Sequence, residues 1–193
     1  MENTQEILNY LEKMSVDSSR VISHLDVGSV VNKNDKLRYV IDNLDVDREL
    51  TVSAFPEGII PCAQIYTKMV SDKDKIAGLF MERDVVRFTD VVKAGVGGSL
   101  EKAILTELAG QRKGPAFLVR GQFKNGESSK QEHYFNLVSL DGQSLYLVDT
   151  ENPASVNGGG VFVSRYAVPV MGIQDEKIII PEKYKMGRNY SLD

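Results

Sequence analysis

Residues 131–153, QEHYFNLVSLDGQSLYLVDTENP, contain two apolar stretches around an Asp-Gly pair and therefore predict a β-hairpin. His133 lies on the first predicted strand and Asp149 on the second. A three-residue loop over 140–142, with its glycine in the left-handed conformation, places His133 opposite Asp149. A two-residue turn would instead place His133 opposite Thr150 and put Asp149 on the other face. We predict the three-residue loop.

The predicted register brings apolar side chains onto the face that carries His133 and Asp149, because side chains alternate between the two faces of a sheet. These apolar residues are Phe135, Leu137, Leu145 and Leu147. A mostly apolar face that ends in an imidazole and a carboxylate is typical of a half-buried pair of active-site strands.

The chain has one cysteine, Cys62, in the stretch IIPCAQ. Pro61 is favourable in the first turn of a helix, where the positive end of the helix dipole favours a thiolate. A free cysteine is otherwise often a small buried hydrophobic residue. The chain order Cys62, His133, Asp149 suits a thiol activated by an imidazole that a carboxylate orients. We predict that these three residues form a catalytic site.

This arrangement, a cysteine that opens a helix followed by His and Asp on adjacent strands, resembles the papain-like cysteine enzymes. The segment HYFNLVSLDGQSLYLVD is similar to the His-to-Asp hairpin of papain-fold bacterial toxins and effectors. These proteins include glutamine deamidases and related cysteine-protease effectors. The resemblance implies that Cys62 is the nucleophile, His133 the general base and acid, and Asp149 the carboxylate that orients the imidazole.

The resemblance also implies a function. It favours a bacterial effector or toxin, a virulence protein that deamidates a glutamine of a host or target-cell protein. A cysteine protease, isopeptidase or acyltransferase would use the same three residues, and a non-catalytic binding protein is the other alternative. Delivery without a Sec signal peptide, and action in the cytosol of the recipient cell, are further expectations. The N-terminal stretch MENTQEILNYLEKM agrees with them, since it lacks a basic n-region and a continuous apolar core.

Composition excludes several other classes of protein. With 193 residues, 42% of them apolar, the chain is long enough for one catalytic domain over 1–193. No window reaches the roughly 18 apolar residues of a membrane span. The net charge of −4 argues against a nucleic-acid surface. One cysteine and two histidines argue against a metal site, since common zinc sites use several nitrogen or sulfur ligands. We therefore expect a protein substrate, without a metal, a cofactor, nucleic acid or a membrane span.

The first part of the chain is predicted to be helical over residues 1–50. One apolar stripe has helical spacing in residues 4–14, which is also a candidate surface for a partner protein. A second stripe follows the cap candidate Asn34 and consists of Leu37, Val40, Ile41 and Leu44. His24 is interpreted as a structural or solvent-facing residue, because it precedes the cysteine and lacks clustered partners.

Later segments change to strands. Residues 72–95 fit either a helix or two short strands, and a helix is predicted over 100–109 with Ser99 as its N-cap. Residues 115–181 are predicted to form a sheet. The fold class is therefore α+β and papain-like, with an N-terminal helical half that carries Cys62 and packs on an antiparallel sheet that carries His133 and Asp149.

Overall fold

A computed structural model describes residues 3–44, 69–139, 141–152, 154–158, 161–165, 167–185 and 187–193. The fold is mixed α+β, as predicted. The described helices are α1 (Thr4–Asp17), α2 (Lys73–Leu79), α3 (Phe88–Ala94), α4 (Ser99–Gly110) and α5 (Glu182–Lys185). The described strands are β1 (Val21–Ile22), β2 (Val30–Asn32), β3 (Arg38–Val40), β4 (Val85–Arg87), β5 (Ala116–Asn125), β6 (Gln131–Ser139), β7 (Leu145–Val148), β8 (Ala154–Gly158), β9 (Val161–Arg165), β10 (Ala167–Pro169), β11 (Gly172–Gln174), β12 (Lys177–Ile179) and β13 (Arg188–Ser191).

An eight-stranded antiparallel sheet organises the second half of the chain. Its order is β10-β7-β6-β5-β13-β12-β11, and β1 pairs with a further part of β5. Residues 115–181 contribute six of its strands, whereas β8 and β9, in the same range, pair with each other in a separate two-stranded sheet. The sheet also reaches beyond that range, because β13 pairs with β5 near the C-terminus.

The face of the sheet that carries His133 is covered by α1. Asn3 caps this helix, since its side chain accepts a hydrogen bond from the N–H of Gln5 at 3.1 Å. The buried residues Ile7, Leu8 and Leu11 pack on the sheet as the predicted stripe requires. The sheet side of this core consists of Phe117, Val119, Phe135, Leu137, Leu145, Leu147, Tyr190 and Leu192, among others. The apolar side of residues 4–14 therefore faces the interior and is not a surface for a partner.

The opposite face of the sheet packs against α4, which is buried from Leu100 to Gly110. Asn136 of β6 donates a hydrogen bond to the backbone carbonyl of Ala103 in this helix at 3.0 Å. Leu100, Ala103, Ile104 and Leu108 contribute to a second core with Leu118 of β5 and the segment before the helix. The central sheet is thus enclosed between α1 and α4.

The prediction of helix through residue 50 is wrong for residues 21–40. After α1 the chain forms β1 and then the β2–β3 hairpin, while residues 45–50 lie outside the described part. Asn34 does not cap a helix, because its side chain accepts the N–H groups of Lys36 and Leu37 within the hairpin turn. Tertiary contacts explain the strand, since the fully buried Tyr39 packs against Phe80 and Phe88.

The undecided segment 72–95 contains both kinds of element, namely α2, β4 and α3. The helix predicted over 100–109 is confirmed as α4, but its N-cap is Gly98 and not Ser99. Glu101 occupies the N3 position and accepts the N–H of Gly98 at 2.8 Å. Within the described ranges, no helix has both the length and the apolar content that crossing a membrane requires.

Candidate active site

The hairpin joins β6 and β7 in a register that differs from the prediction by two residues. The last ladder pair is Ser139 with Leu145, so five residues connect the strands and the predicted three-residue loop is wrong. Gly142 does adopt the predicted left-handed conformation, with φ of 70°. Asp141 supplies the reason for the longer turn, because its carboxylate accepts the N–H groups of Gln143 and Ser144. A shift of two residues leaves every side chain on its predicted face.

His133 and Asp149 are in direct contact, as the shared face requires. The imidazole Nε2 lies 2.9 Å from Oδ2 of Asp149. The pair is buried, although the His133 side chain retains 9% exposure and the Asp149 side chain only 2%. The imidazole is therefore the member of the pair that a reacting group from outside can approach.

Asp149 follows β7 directly and accepts hydrogen bonds at both oxygens. Oδ1 accepts the backbone N–H groups of Glu151 and Asn152, each at 3.0 Å. Oδ2 accepts the hydroxyl of Tyr190 at 2.8 Å and the side-chain amide of Asn152 at 3.3 Å, in addition to His133. Burial alone would raise the pKa of Asp149, but the hydrogen bonds from His133, Tyr190 and Asn152 hold it below its ordinary value. Asp149 is therefore ionised at neutral pH.

The ionised carboxylate determines which nitrogen of His133 carries the proton. A carboxylate only accepts hydrogen bonds, so Nε2 must donate to Asp149. The Nε2 proton leaves Nδ1 as the basic atom of the neutral ring. Among the described residues, Nδ1 has no hydrogen-bond partner. The pair thus provides an oriented imidazole with one nitrogen available for proton transfer.

Aromatic rings and a glycine position the imidazole. The ring centroid of His133 lies 5.4 Å from that of Phe123 and 6.4 Å from that of Phe135. Gly121 pairs with His133 across β5 and β6. A Cβ at Gly121 would lie 2.1 Å from the carbonyl oxygen of Ser191, so only glycine permits β13 to approach β5 this closely.

Sequence reasoning missed Tyr190 and Asn152 as members of this cluster. Burial and the adjacent charge of Asp149 raise the pKa of the Tyr190 phenol well above its ordinary value, so the hydroxyl remains a donor. The backbone carbonyl of Asn152 accepts a hydrogen bond from the Arg188 guanidinium at 2.7 Å, which ties the segment after Asp149 to β13. An Asx turn beginning at Asp149 is a local signal that points to Asn152. Tyr190 has only a weak signal, the alternation of polar and apolar residues in the last strand.

A buried lysine holds the same segment from the other face of the sheet. Lys102 of α4 forms an ion pair with Glu151, and the exposed fraction of its side chain is 5%. The segment that follows Asp149 is therefore fixed to α4 through Glu151 and to β13 through Asn152.

The remaining predicted residues fall into two groups. Cys62 lies outside the described residues, as does Leu140 of the predicted loop. His24 is solvent-facing as predicted, since its side chain is 61% exposed and its Nε2 lies 2.8 Å from a carboxylate oxygen of Asp26. Within the described part of the chain, no group of three or more His, Cys, Asp or Glu side chains is arranged to bind a metal ion.

Comparison with protein-family models, with curated proteins and with solved structures finds no match to this chain.

Proposed function

We propose that this protein is a papain-like, cysteine-dependent hydrolase that deamidates a glutamine side chain of a partner protein. The observation that carries the proposal is the buried His133–Asp149 pair, with Nε2 committed to the carboxylate and Nδ1 available. An imidazole held in this way is what nucleophilic catalysis by a thiol requires. Cys62 is the only thiol in the chain, and it precedes the pair in the order of the papain-like enzymes.

In the proposed reaction, Nδ1 of His133 takes the proton of the Cys62 thiol, and the thiolate attacks the carboxamide carbon of the substrate. The tetrahedral intermediate collapses when the imidazolium returns that proton to the nitrogen, which leaves as ammonia. The resulting thioester is attacked by water, whose proton passes to Nδ1. Collapse of the second intermediate releases glutamate and restores the thiol. Asp149 stabilises the imidazolium formed in each half of the reaction.

The chemistry needs Cys62 Sγ within about 3–3.5 Å of Nδ1 when the substrate is bound. The same residues would serve a protease, an isopeptidase or an acyltransferase, which differ in the bond attacked or in the final acceptor. Bacterial delivery into the cytosol of a recipient cell belongs to the same proposal and rests on the resemblance of the hairpin and the cysteine segment.

The first test measures the alkylation rate of Cys62 against pH. Wild type, His133→Ala and the control His24→Ala are compared, since His24 is the other histidine of the chain and is exposed. If His133 activates the thiol, wild type and His24→Ala should be alkylated rapidly below the ordinary thiol pKa of about 8.5, and His133→Ala should not. Identical profiles in all three proteins would contradict the enzyme proposal and favour a binding protein.

The second test identifies the reaction. A cell lysate is incubated with wild type or with Cys62→Ala, and peptides are mapped by mass spectrometry. Deamidation predicts a mass gain of about one dalton at a glutamine with wild type alone, because an amide becomes an acid. New chain ends would indicate a protease, and an added amine or acyl group would indicate a transferase. Equal changes with both proteins would exclude a role for Cys62.

A further inference from the structure

A cavity of about 300 Å³ lies on the sheet beside β5, β13 and β12. It is lined by Lys124, Lys130, Lys177, Lys185, Asn189 and Ser191, among others. Lys124 pairs with Asn189, and Lys177 with Ser191, across neighbouring strands. Because directly opposed residues share a face of the sheet, these four side chains lie on one side of it. Tyr190, between Asn189 and Ser191, points to the other side, where its hydroxyl contacts Asp149. The lysine cavity is therefore on the side of the sheet away from His133.

The lysine cavity has an excess of positive charge. Two of its lysines have carboxylate partners, since Lys130 lies 3.3 Å from Asp193 and Lys185 lies 2.9 Å from Glu182. Lys124 and Lys177 form no ion pair among the described residues. The whole chain, by contrast, has a net charge of −4. Clustered charges of one sign around a concave surface focus the field and attract ions of the opposite sign.

The side chains that line the cavity indicate which type of anion it would bind. Lysine ammonium groups bind phosphate as point charges, and Asn189 and Ser191 add neutral polar groups between them. The volume is at the lower end of that of small-molecule sites. The four lysines come from β5, β12, α5 and the residue before β6, so a molecule with several phosphate groups can contact more of them at once than a single phosphate can. We propose that the lysine cavity binds a small molecule that carries two or more phosphate groups, independently of the proposed hydrolase activity.

Calorimetric titration of the full chain at constant ionic strength tests this proposal, with tripolyphosphate and inorganic phosphate as probes. Tripolyphosphate should bind with one-to-one stoichiometry and at least about tenfold more tightly than inorganic phosphate, because it contacts several lysines at once. The double variant Lys124→Gln/Lys177→Gln should lose at least about tenfold in affinity. The control Lys36→Gln/Lys93→Gln removes the same charge at exposed sites elsewhere and should stay within about twofold of wild type.

Amide chemical shifts provide a second measurement that does not depend on the variants. Tripolyphosphate should shift the amides of Lys177, Asn189 and Ser191 more than those of α2 and α3. Equal loss of affinity in the two double variants would overturn the proposal, as would equal affinity for tripolyphosphate and inorganic phosphate. Tighter binding of an oligoglutamate peptide than of tripolyphosphate would also overturn it, in favour of an acidic protein segment.

Discussion

Substitution of Asp149 by asparagine separates a catalytic role of the carboxylate from a structural one. The carboxylate accepts two backbone N–H groups at Oδ1 and three side-chain donors at Oδ2. The amide of asparagine has one oxygen, which we expect to keep the backbone N–H groups. Its nitrogen then faces His133, Tyr190 and Asn152, all of which donated to the carboxylate.

The loss of stability in Asp149→Asn is expected to be moderate. The Tyr190 hydroxyl can rotate to accept from the new amide, and the imidazole can move its proton to Nδ1 so that Nε2 accepts. The two short charge-assisted hydrogen bonds, from His133 and Tyr190, thus become neutral ones at a cost of about 1 kcal/mol each, or about 2 kcal/mol in total. The contact from Asn152 is already long, at 3.3 Å, and its loss adds little. The full figure applies because Asp149 is buried and water does not screen the change.

The loss of thiol reactivity is expected to be larger. In Asp149→Asn the Nδ1 atom carries the proton, so it no longer accepts the proton of the Cys62 thiol. A thiol with an ordinary pKa of about 8.5 is only about 1% thiolate at pH 6.5. The alkylation rate at pH 6.5 should therefore fall by up to roughly 100-fold, whereas near pH 9.5 the two proteins should differ by no more than a few-fold.

Two quantities are measured on the same preparations. The alkylation rate of the single cysteine is monitored by mass spectrometry, and the free energy of unfolding is measured in urea. Asp141→Asn is the matched control, because Asp141 also accepts two backbone N–H groups on the same hairpin but is exposed. This control should retain the wild-type alkylation profile. If Asp149→Asn lost about 2 kcal/mol of stability but kept its alkylation rate at pH 6.5 within about threefold, Asp149 would be a structural residue and the reasoning would be refuted.

Three other substitutions test the packing and the buried polar groups on the two faces of the sheet. Gly121→Ala should lower the free energy of unfolding by about 1–3 kcal/mol in urea titrations, because its Cβ would lie 2.1 Å from a carbonyl oxygen of β13, whereas Gly78→Ala in α2 has open space and should be neutral or slightly stabilising. The pKa of Asp149 lies below its unfolded value, so its stabilisation exists above about pH 4 and is lost as the pH falls through the folded value. Tyr190→Phe removes a donor and raises that folded pKa, so circular dichroism should show acid unfolding at a higher pH than in wild type. Burial raises the pKa of Glu107 more than the neighbouring Asn136 amide lowers it, so the cost of burying the charged carboxylate grows as the pH rises above about 4. Glu107→Met should then stabilise by about 1–3 kcal/mol at pH 7, with a smaller gain near pH 4 in the same unfolding assay.

The contact between His133 and Asp149 was predictable because it depends only on which face each residue occupies. The turn was predicted two residues too short, since the sequence does not show that Asp141 accepts two backbone N–H groups beyond the Asp-Gly pair. An error of two residues preserves the faces, and a one-residue error would have separated the pair. Alternation along a strand is therefore a more reliable predictor than loop length.

In residues 30–40 the spacing of apolar residues predicts the wrong secondary structure. The stripe that includes Leu37 and Val40 has helical spacing, yet β3 lies there because Tyr39 fills a space between Phe80 and Phe88. The Tyr39 hydroxyl also donates to Glu101, which is buried in α4. These partners are more than 40 residues away in sequence, so no local window contains the information that selects the strand.

Tyr190 was missed for a related reason. It lies 41 residues after Asp149, in a C-terminal stretch whose composition is polar. The hydrogen bond to Asp149 exists because β13 inserts between β5 and β12, and this pairing is determined by the topology of the whole sheet. The order of strands in a sheet depends on the sum of many pairings, so the sequence of one strand contains little information about which strands lie beside it.

The position of the polar pair itself favours a chemical role over a structural one. Leu145 and Leu147 precede Asp149 on the same face, and Phe135 follows His133 on its strand; all three are apolar and almost completely buried. Apolar side chains thus fill equivalent positions of this face, and replacing both partners of a buried hydrogen bond by apolar residues is often neutral or stabilising. A carboxylate here has to be desolvated and then supplied with five donors to remain ionised. That arrangement adds little to packing, but it fixes the tautomer of an imidazole at the edge of the core, which is the property that activation of a thiol needs.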